Sequence, residues 1–430
     1  MDLLTANDRQ GAYPASYYAA TATQLDPFPA AAGALSCDVC IVGAGYSGLS
    51  AALHLAQSGY DVVLLDAQRV GFGASGRNGG QVGTGQRVGQ DVLEKLVGKG
   101  DARHLWDFSL DAVALVRDLI ATHNLDCGWA DGIIEADHRA KFVRHSHEYA
   151  DKMRVEYGYD KIIPLSRDDI RSHVGSRAYH GGSLDTGGGH LHPLRYVLGL
   201  ARAARAAGVR IFENSKVTRI DHDPVTVHTA TAQISAKFAI LGCNGYLGAL
   251  NGEVAARVMP INNFIVATEP LDDPASLIRD NHAVADSKFV INYFRLSDDK
   301  RMLFGGGESY GYTFPKDIAA TVRKPMLQIF PQLKDVAIDY AWGGTLGITL
   351  NRMPHFARLS SNVLSISGYS GHGIALATLG GKLAAQAVQG QAEKFDIFAK
   401  VPSPRFPGGP RLRTPLLVLA MLWYSMRDRL

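Results

Sequence analysis

A chain of 430 residues is long enough for a large hydrophobic core and for two or three domains. Its 44 lysines and arginines nearly balance its 41 aspartates and glutamates, and the net charge of +3 excludes the basic footprint of a nucleic-acid-binding protein. Four cysteines are too few for a disulfide framework, and charged residues interrupt the N-terminus where a signal peptide would be apolar. These features favour a globular protein of the reducing cytoplasm.

The N-terminal part of the chain is predicted to contain an arm followed by a β-α-β unit. Residues 1–35 are expected to form an extended arm. An apolar run over 38–43, helical spacing over 46–58 and a second apolar run over 62–65 predict strand, helix and strand. Periodicity and turn residues predict the remaining elements, which are helix 91–122, strand 128–136, helix 140–157, helix 193–207, strands 209–212, 216–221, 225–229 and 238–242, an antiparallel sheet over about 260–340, strand 363–367 and a helix to about 389.

The β-α-β unit carries a dinucleotide-binding fingerprint over residues 39–66, VCIVGAGYSGLSAALHLAQSGYDVVLLD. Gly43 permits the turn out of the first strand, Gly45 lets the backbone approach a pyrophosphate, and Gly48 lets helix and strand pack closely. The helix directs its positive end at the phosphates. Asp66 ends the second strand, where a carboxylate can accept hydrogen bonds from a ribose. Strand, helix, strand and acid in this order predict a bound dinucleotide.

Two glycine-rich loops favour FAD over NAD as that dinucleotide. The loop GFGASGRNGGQ over 71–81 can wrap a longer cofactor, with Arg77 and Asn78 reaching phosphate or flavin polar atoms. The sequence GYSGHG over 368–373 precedes the last long helix, whose first amides can stabilise negative charge on the pyrimidine side of a reduced flavin.

The predicted fold class is α/β, with a discontinuous Rossmann-like FAD-binding domain interleaved with an α+β substrate domain built on an antiparallel sheet. The predicted boundaries are 1–35 for the arm, 36–125, 181–255 and 346–430 for the FAD-binding domain with a C-terminal helix, and 126–180 and 256–345 for the substrate domain.

The order of these motifs resembles that of the D-amino-acid-oxidase-like flavoprotein superfamily, which includes the glycine and sarcosine oxidases. Within it, the chain is similar to the branch that oxidises gamma-glutamylputrescine, through SYYAATA, GFGASGRNGGQ, GGGHLHPL, NYFRL, LNRMPHFARL, GYSGHGI and WYSMRDRL. The resemblance covers nearly the whole chain. It implies cofactor contacts at Gly43, Ala44, Gly45, Tyr46, Ser47, Gly48, Asp66, Ala67, Ala74, Ser75, Arg77, Asn78, Gly79, Gly80, Gln81, Val217, Gly242, Asn244, Gly245, Gly371, His372, Gly373 and Ile374.

The activity that the resemblance implies is oxidation of a C–N bond by hydride transfer to flavin N5. The substrate is expected to be gamma-glutamylputrescine or a related gamma-glutamyl polyamine, which would give an aldehyde, ammonia and hydrogen peroxide with oxygen as the acceptor. Two alternatives stay open. One is an oxidase of another secondary amine or amino acid, and the other is a membrane-associated dehydrogenase that feeds a quinone or carrier.

Two departures from the sarcosine oxidases narrow the expected chemistry. Those enzymes bind flavin through a cysteine in the region that corresponds to 340–345, where this chain reads YAWGGT. FAD is therefore predicted not to be held by a cysteine. They also carry a lysine after the G-H-G sequence that holds the substrate carboxylate, whereas Gly373 is followed here by Ile374 and Ala375. This favours an amine remote from any carboxylate.

Four residues are candidates for the substrate pocket. Tyr293 and Trp342 could form aromatic walls around an amine, or could be core aromatics of the sheet. Arg295 could pair with the distal carboxylate of a gamma-glutamyl group, or could face solvent. His372 is expected to contact the flavin. None of the sequence patterns identifies a catalytic acid or base.

Several other features favour structural interpretations. His190 and His192 have the spacing of a metal pair but lack acidic or sulfur partners nearby, so they are interpreted as loop histidines and no metal is predicted. Cys37 and Cys40 are interpreted as residues of a buried strand rather than as a redox or zinc pair. The apolar segment 412–426 is too short to span a membrane, and a helix packed on the protein is preferred over membrane contact.

Overall fold

The computed structural model describes residues 2–309 and 311–408. The apolar segment 412–426 lies outside these ranges. No helix within them combines the length and the apolarity that crossing a membrane requires.

The described residues form two β-sheets with helices between and around them. The strands are β1 Gly33–Val42, β2 Val62–Leu65, β3 Gln81–Val82, β4 Ala130–Ala136, β5 Ile162–Leu165, β6 Gly182–His190, β7 Arg210–Phe212, β8 Arg219–His222, β9 Val225–His228, β10 Ala232–Leu241, β11 Met259–Thr268, β12 Ala283–Asp286, β13 Tyr293–Leu296, β14 Met302–Ser309, β15 Ile338–Ile348, β16 His355–Arg358 and β17 Val363–Ser367. The α-helices are α1 Tyr17–Thr21, α2 Tyr46–Gln57, α3 Gln90–Val97, α4 Lys99–Thr122, α5 Ala140–Tyr157, α6 Arg167–His173, α7 Pro193–Ala206, α8 Gly252–Ala255, α9 Ile318–Ile329, α10 Gly373–Val388 and α11 Glu393–Lys400.

The first sheet has the strand order β16-β17-β10-β1-β2-β7, and its strands from β17 to β7 are parallel. Parallel strands need cover on both faces, which explains the uniformly apolar and buried β2. Helix α2 packs closely against α10, and a Cβ on Gly381 would lie 2.2 Å from the carbonyl oxygen of Ser47. This sheet with its helices is the predicted doubly wound nucleotide-binding architecture.

The second sheet has the strand order β15-β11-β14-β13-β12-β4-β6-β3, and its pairs are antiparallel except for β12 with β4. One face buries Phe264, Phe294 and Phe304 in a core of its own beneath α9. The opposite face carries Ile265 and Trp342, which belong to the large core that also contains the helices of the first sheet. The second sheet therefore presents one face to the nucleotide-binding half of the molecule.

Most of the predicted elements are confirmed, including the β-α-β unit and helices α5, α7 and α10. The single helix predicted over 91–122 is wrong, because Gly98 adopts a φ of +84° and separates α3 from α4. Helix α9 lies within the stretch predicted as sheet, and Pro325 inside it disguises its helical pattern. Strands β3 and β6 lie within the segments predicted for the FAD-binding domain, but both belong to the second sheet. The domain boundaries stay a prediction.

The prediction of an extended N-terminal arm is wrong over residues 17–21, which form α1 with Tyr17 and Tyr18 buried. The more N-terminal part of the arm crosses both halves of the molecule. Asn7 donates from Nδ2 to the carbonyl of Tyr312 over 2.8 Å and accepts at Oδ1 from the amide of Phe314 over 2.7 Å. The arm thereby contacts the loop between β14 and α9.

Candidate active site

The turn between β1 and α2 leaves no room for side chains at the fingerprint glycines. Gly43 has a φ of +105°, which favours glycine. A Cβ on Gly48 would lie 1.8 Å from the carbonyl oxygen of Gly43, and one on Gly45 would lie 2.8 Å from Oγ of Ser75. The first helical bond of α2 runs from the Leu49 amide to the Gly45 carbonyl, so the preceding amides have no partner within the helix. The turn is a cradle of backbone donors suited to a pyrophosphate.

Asp66 lies beside this cradle at the end of β2. Its carboxylate accepts hydrogen bonds from the amides of Ala44, at 2.7 Å, and Gln68, at 2.8 Å. Burial raises the pKa of Asp66 to about 6, so the group is mostly ionised at pH 7. The amide of Ser215 donates to the Asp66 carbonyl, which brings the segment that leads to Val217 alongside the acid. This arrangement agrees with the predicted adenosine side of the site.

Three further predicted cofactor residues lie at the carboxyl end of β10, next to the glycine turn. The Gly242 amide donates to the Val42 carbonyl over 2.8 Å. Asn244 has a φ of +48° and accepts at Oδ1 from the Gly368 amide over 2.9 Å. Gly245 packs against the backbone of Leu346, which a Cβ would approach to 3.0 Å. The structure thus brings the separate glycine loops of the sequence together.

The side chains of Arg77 and Asn78, which were predicted to reach the cofactor, are largely engaged by protein groups. Asn78 donates from Nδ2 to the carbonyl of Ala74 over 2.9 Å and accepts at Oδ1 from the amide of Gly80 over 2.8 Å. Arg77 forms a buried ion pair with Asp8 of the arm, with 2.9 Å between Nη1 and Oδ2. Nη2 of Arg77 is buried and has no hydrogen-bond partner among the described residues. The two side chains therefore shape the loop, and their cofactor contact stays a prediction.

His372 occupies the N-cap position of α10, without a capping hydrogen bond from its side chain, and lies against the segment after β3. A Cβ on Gly83 would be 2.7 Å from Cε1 of its ring. Burial and, to a smaller extent, the nearby Arg87 guanidinium lower the pKa of His372 to about 4, so the ring is neutral at pH 7. Gly373 and the buried Ile374 follow it in the first turn of the helix. The positive end of α10 and a neutral imidazole thus lie on one side of the predicted flavin position.

These residues fit a bound FAD. A Cβ at the fingerprint glycines would fill the cradle, and the buried Nη2 of Arg77 lacks a partner within the described chain. The backbone donors of the turn match a phosphate, and the Asp66 carboxylate matches a ribose. Backbone amides of α2 and Asp66 would hold the pyrophosphate and the ribose, and the start of α10 would face the pyrimidine ring.

Of the aromatic candidates, Tyr293 fits a pocket wall better than Trp342 does. The ring of Tyr293 is half-buried between two glycines, since Cβ atoms on Gly79 and Gly305 would approach it to 2.6 Å and 2.1 Å. Trp342 is buried, donates from Nε1 to the Arg77 carbonyl over 3.0 Å, and packs edge-on against Tyr18. Trp342 therefore fits the alternative that was left open for it, an aromatic residue of the core.

The solvent-facing alternative for Arg295 is wrong, because only 4% of this residue is exposed. Its guanidinium donates to the carbonyls of Gly79, at 2.9 Å, and Leu296, at 3.1 Å, and to the hydroxyl of Tyr18, at 3.3 Å. Arg295 therefore connects the loop over 71–81, the predicted cofactor loop, to the second sheet and to α1. These contacts engage all three of its nitrogens, which weakens the predicted pairing with a substrate carboxylate.

The histidine pair of the sequence is structural. His190 ends β6 and bonds through Nε2 to the carbonyl of Asn281 over 2.6 Å, and His192 accepts from the Arg195 amide at the start of α7. Burial lowers the pKa of His190 to about 3 and that of His192 to about 2, so both rings are neutral. His190 thus belongs to a strand rather than to a loop. A separate cluster of His173, Asp280 and His282 has its carboxylate paired with Arg279 at 2.8 Å.

Comparison with known proteins agrees with this geometry. The sequence profile of the FAD dependent oxidoreductase family (DAO) matches residues 38–387. The chain belongs to this family. It is 42% identical over 422 residues to gamma-glutamylputrescine oxidoreductase of Escherichia coli, covering 97% of this chain and 99% of that protein. It is also 42% identical over 416 residues to the probable oxidoreductase OrdL of Rhizobium meliloti, covering 96% and 97% of the two chains.

Among solved structures, glycine oxidase from Geobacillus kaustophilus is similar in fold. The TM-score is 0.74 at 20% sequence identity, and the match covers 87% of this chain and 100% of that one. Membership of the FAD-dependent oxidoreductase family confirms the α/β fold, the FAD cofactor and the oxidoreductase class predicted from the motifs. The glycine cradle, the start of α10 and the face of the second sheet that carries Ile265 and Trp342 are the predicted surroundings of the reactive site.

Proposed function

We propose that this FAD-dependent enzyme oxidises gamma-glutamylputrescine or a related gamma-glutamyl polyamine, with molecular oxygen as the acceptor. The near full-length similarity to the Escherichia coli enzyme, at 42% identity, carries this proposal. The primary amine, oxygen and water would give the aldehyde, ammonia and hydrogen peroxide in equal amounts. The cytoplasmic location stays a prediction.

The residues around the reactive site support an amine substrate. Bound FAD supplies the acceptor for the two electrons that leave the C–N bond. An amine must lose its proton before this oxidation, and a desolvated site with neutral groups favours the neutral amine. His372 is a neutral group of this kind at pH 7, and the half-buried ring of Tyr293 is a candidate wall beside it. Ile374, which follows Gly373, is apolar and buried, so this position offers no cation to bind a carboxylate next to the reacting amine.

An anaerobic substrate screen tests the proposal. Gamma-glutamylputrescine should bleach the flavin absorbance rapidly, whereas sarcosine and glycine should bleach it slowly. Under air, the same substrate should yield one peroxide for each aldehyde. Fast bleaching by sarcosine or glycine alone would overturn the substrate assignment. Bleaching without peroxide would instead identify a dehydrogenase that uses another electron acceptor.

The flavin should be released by acid. Strand β15 carries no cysteine, and the four cysteines lie at 37, 40, 127 and 243. We therefore expect trichloroacetic acid to leave the yellow colour in the supernatant, with one FAD per chain by absorbance. A coloured pellet would contradict the prediction and would call for mass analysis of the flavin-bearing peptide.

A further inference from the structure

An acidic side chain that the motifs did not single out lies on the face of the second sheet that also carries Ile265 and Trp342. Glu135 is on β4, where its neighbours Ile134 and Ala136 point into the core beneath α9. Because successive side chains of a strand alternate between faces, Glu135 points to the opposite face. That is the face that the sheet presents to the nucleotide-binding half.

Strand register places Glu135 in the same row as the pocket aromatic Tyr293. Glu135 pairs with Ala285 of β12, and Ala285 pairs with Tyr293 of β13. The row continues through Gly305 of β14 to Ile265 of β11. Two strand spacings separate Glu135 from Tyr293, which corresponds to about 10 Å between their backbones.

The carboxylate of Glu135 is accessible but enclosed. The residue is solvent-exposed although β4 lies between β12 and β6 in the interior of the sheet. Burial nonetheless raises the pKa of Glu135, whereas the Arg87 guanidinium lowers it and the carboxylates of Asp185 and Asp137 raise it. Glu135 is therefore a solvent-accessible acid on a central strand of the second sheet, on the face that also carries Ile265 and Trp342.

No described residue makes a hydrogen bond or an ion pair with the Glu135 carboxylate. The two other acids nearby are satisfied by protein groups. Asp185 accepts from the hydroxyl of Tyr159 over 2.6 Å, and Asp137 accepts from that of Ser146 over 2.6 Å. Arg87 donates from Nε to the carbonyl of Ser370 over 3.2 Å, just before α10, and its charge also acts on Glu135. Glu135 and the loop that precedes α10 therefore lie near the same guanidinium.

We propose that Glu135 binds the second ammonium group of the substrate, the one that is not oxidised. This assignment rests on the proposed function and defines the substrate class as amines with a remote cationic centre. In extended gamma-glutamylputrescine, nine bonds of about 1.5 Å place the α-ammonium roughly 11 Å from the reacting carbon. That length matches the separation of Glu135 from the Tyr293 wall. A carboxylate at this distance can select the substrate while leaving the reacting amine in neutral surroundings.

The test compares two substrates that differ only in the second ammonium. Gamma-glutamylputrescine carries it, and glutarylputrescine has the same primary amine, chain length and carboxylate without it. For Glu135→Gln, we expect KM for gamma-glutamylputrescine to rise about 10- to 100-fold with kcat nearly unchanged, as for loss of a charge-assisted hydrogen bond. KM and kcat for glutarylputrescine should stay at the wild-type values.

Matched controls separate this role from damage to the fold. Glu148→Gln removes an exposed carboxylate from α5 and should leave both substrates unaffected. Wild-type turnover of glutarylputrescine by Glu135→Gln would show an intact site. An unchanged KM for gamma-glutamylputrescine, or equal losses with the two substrates, would overturn the assignment. If the wild-type enzyme does not oxidise gamma-glutamylputrescine, the proposed function itself fails and the assignment fails with it.

Discussion

A Gly48→Ala variant is expected to be isolated with little or no FAD. The added Cβ would lie 1.8 Å from the carbonyl oxygen of Gly43, and neither backbone group can rotate away. Helix α2 must therefore move off β1 and take its first amides with it. The cost should exceed the 1–3 kcal/mol typical of one extra methylene in a packed core. We expect a loss of FAD affinity of at least 100-fold, measured by fluorescence titration of the apoprotein.

A second Gly→Ala variant tests whether the loss of FAD comes from the position of Gly48 rather than from replacing any glycine. Gly100 lies in the first turn of α4, where an added Cβ would meet no atom within 4 Å. Gly100→Ala should keep one FAD per chain and equal or slightly higher stability, because alanine is the better helix former. Wild-type FAD affinity in Gly48→Ala would refute the close contact between α2 and β1.

An Arg295→Met variant is expected to lower the free energy of unfolding and to weaken FAD retention. Its KM for the substrate should change little. The substitution leaves the carbonyls of Gly79 and Leu296 without their donors in a buried position. Each unsatisfied group costs about 1–3 kcal/mol, so we expect a loss of roughly 3–5 kcal/mol in the free energy of unfolding. Gly79 belongs to the cofactor loop, so FAD should also dissociate more readily on gel filtration.

The comparison for this variant is Arg144→Met, which removes an exposed guanidinium paired with Glu148. Its effect on urea denaturation should stay within about 0.5 kcal/mol. If Arg295→Met instead keeps its stability and its FAD but shows a raised KM for gamma-glutamylputrescine, the guanidinium binds the substrate carboxylate, as the sequence had suggested.

The sequence predicted best what depends on local spacing. The glycines at 43, 45 and 48 and the acid at 66 fix a β-α-β unit through short-range geometry, and they lie where expected. The start of α10 was predictable for the same reason. That the glycine turn and the start of α10 lie near each other could be predicted only from the resemblance to a family. No local sequence pattern shows which loops are close in space.

What the sequence could not predict depends on register and on distant partners. Strand β4 has three consecutive buried residues, Gly132–Ile134, and so gives no clean alternation. Its sequence does not reveal that Glu135 shares a row with Tyr293, since that requires the pairing of three strands. The sequence left Arg295 open between a substrate contact and a solvent-facing position, because its partners Gly79 and Tyr18 are more than 200 positions away. The burial of α1 was missed because a five-residue helix has too few turns for a periodic signal.

The N-terminal arm also constrains the order in which the molecule can be completed. Asn7 is synthesised early, but its partners at Tyr312 and Phe314 are 305 and 307 positions further along the chain. Asp8 can meet Arg77 much sooner, whereas the Gly343 carbonyl that shares the same guanidinium comes near the end. Translation proceeds at about 5–20 residues per second, so the arm lacks these partners for most of the time that the chain is being synthesised. The contacts that hold the arm, and those of Arg77 in the predicted cofactor loop, are complete only once nearly the whole chain has been synthesised. Residues at the start of the chain are therefore among the last to reach their final positions.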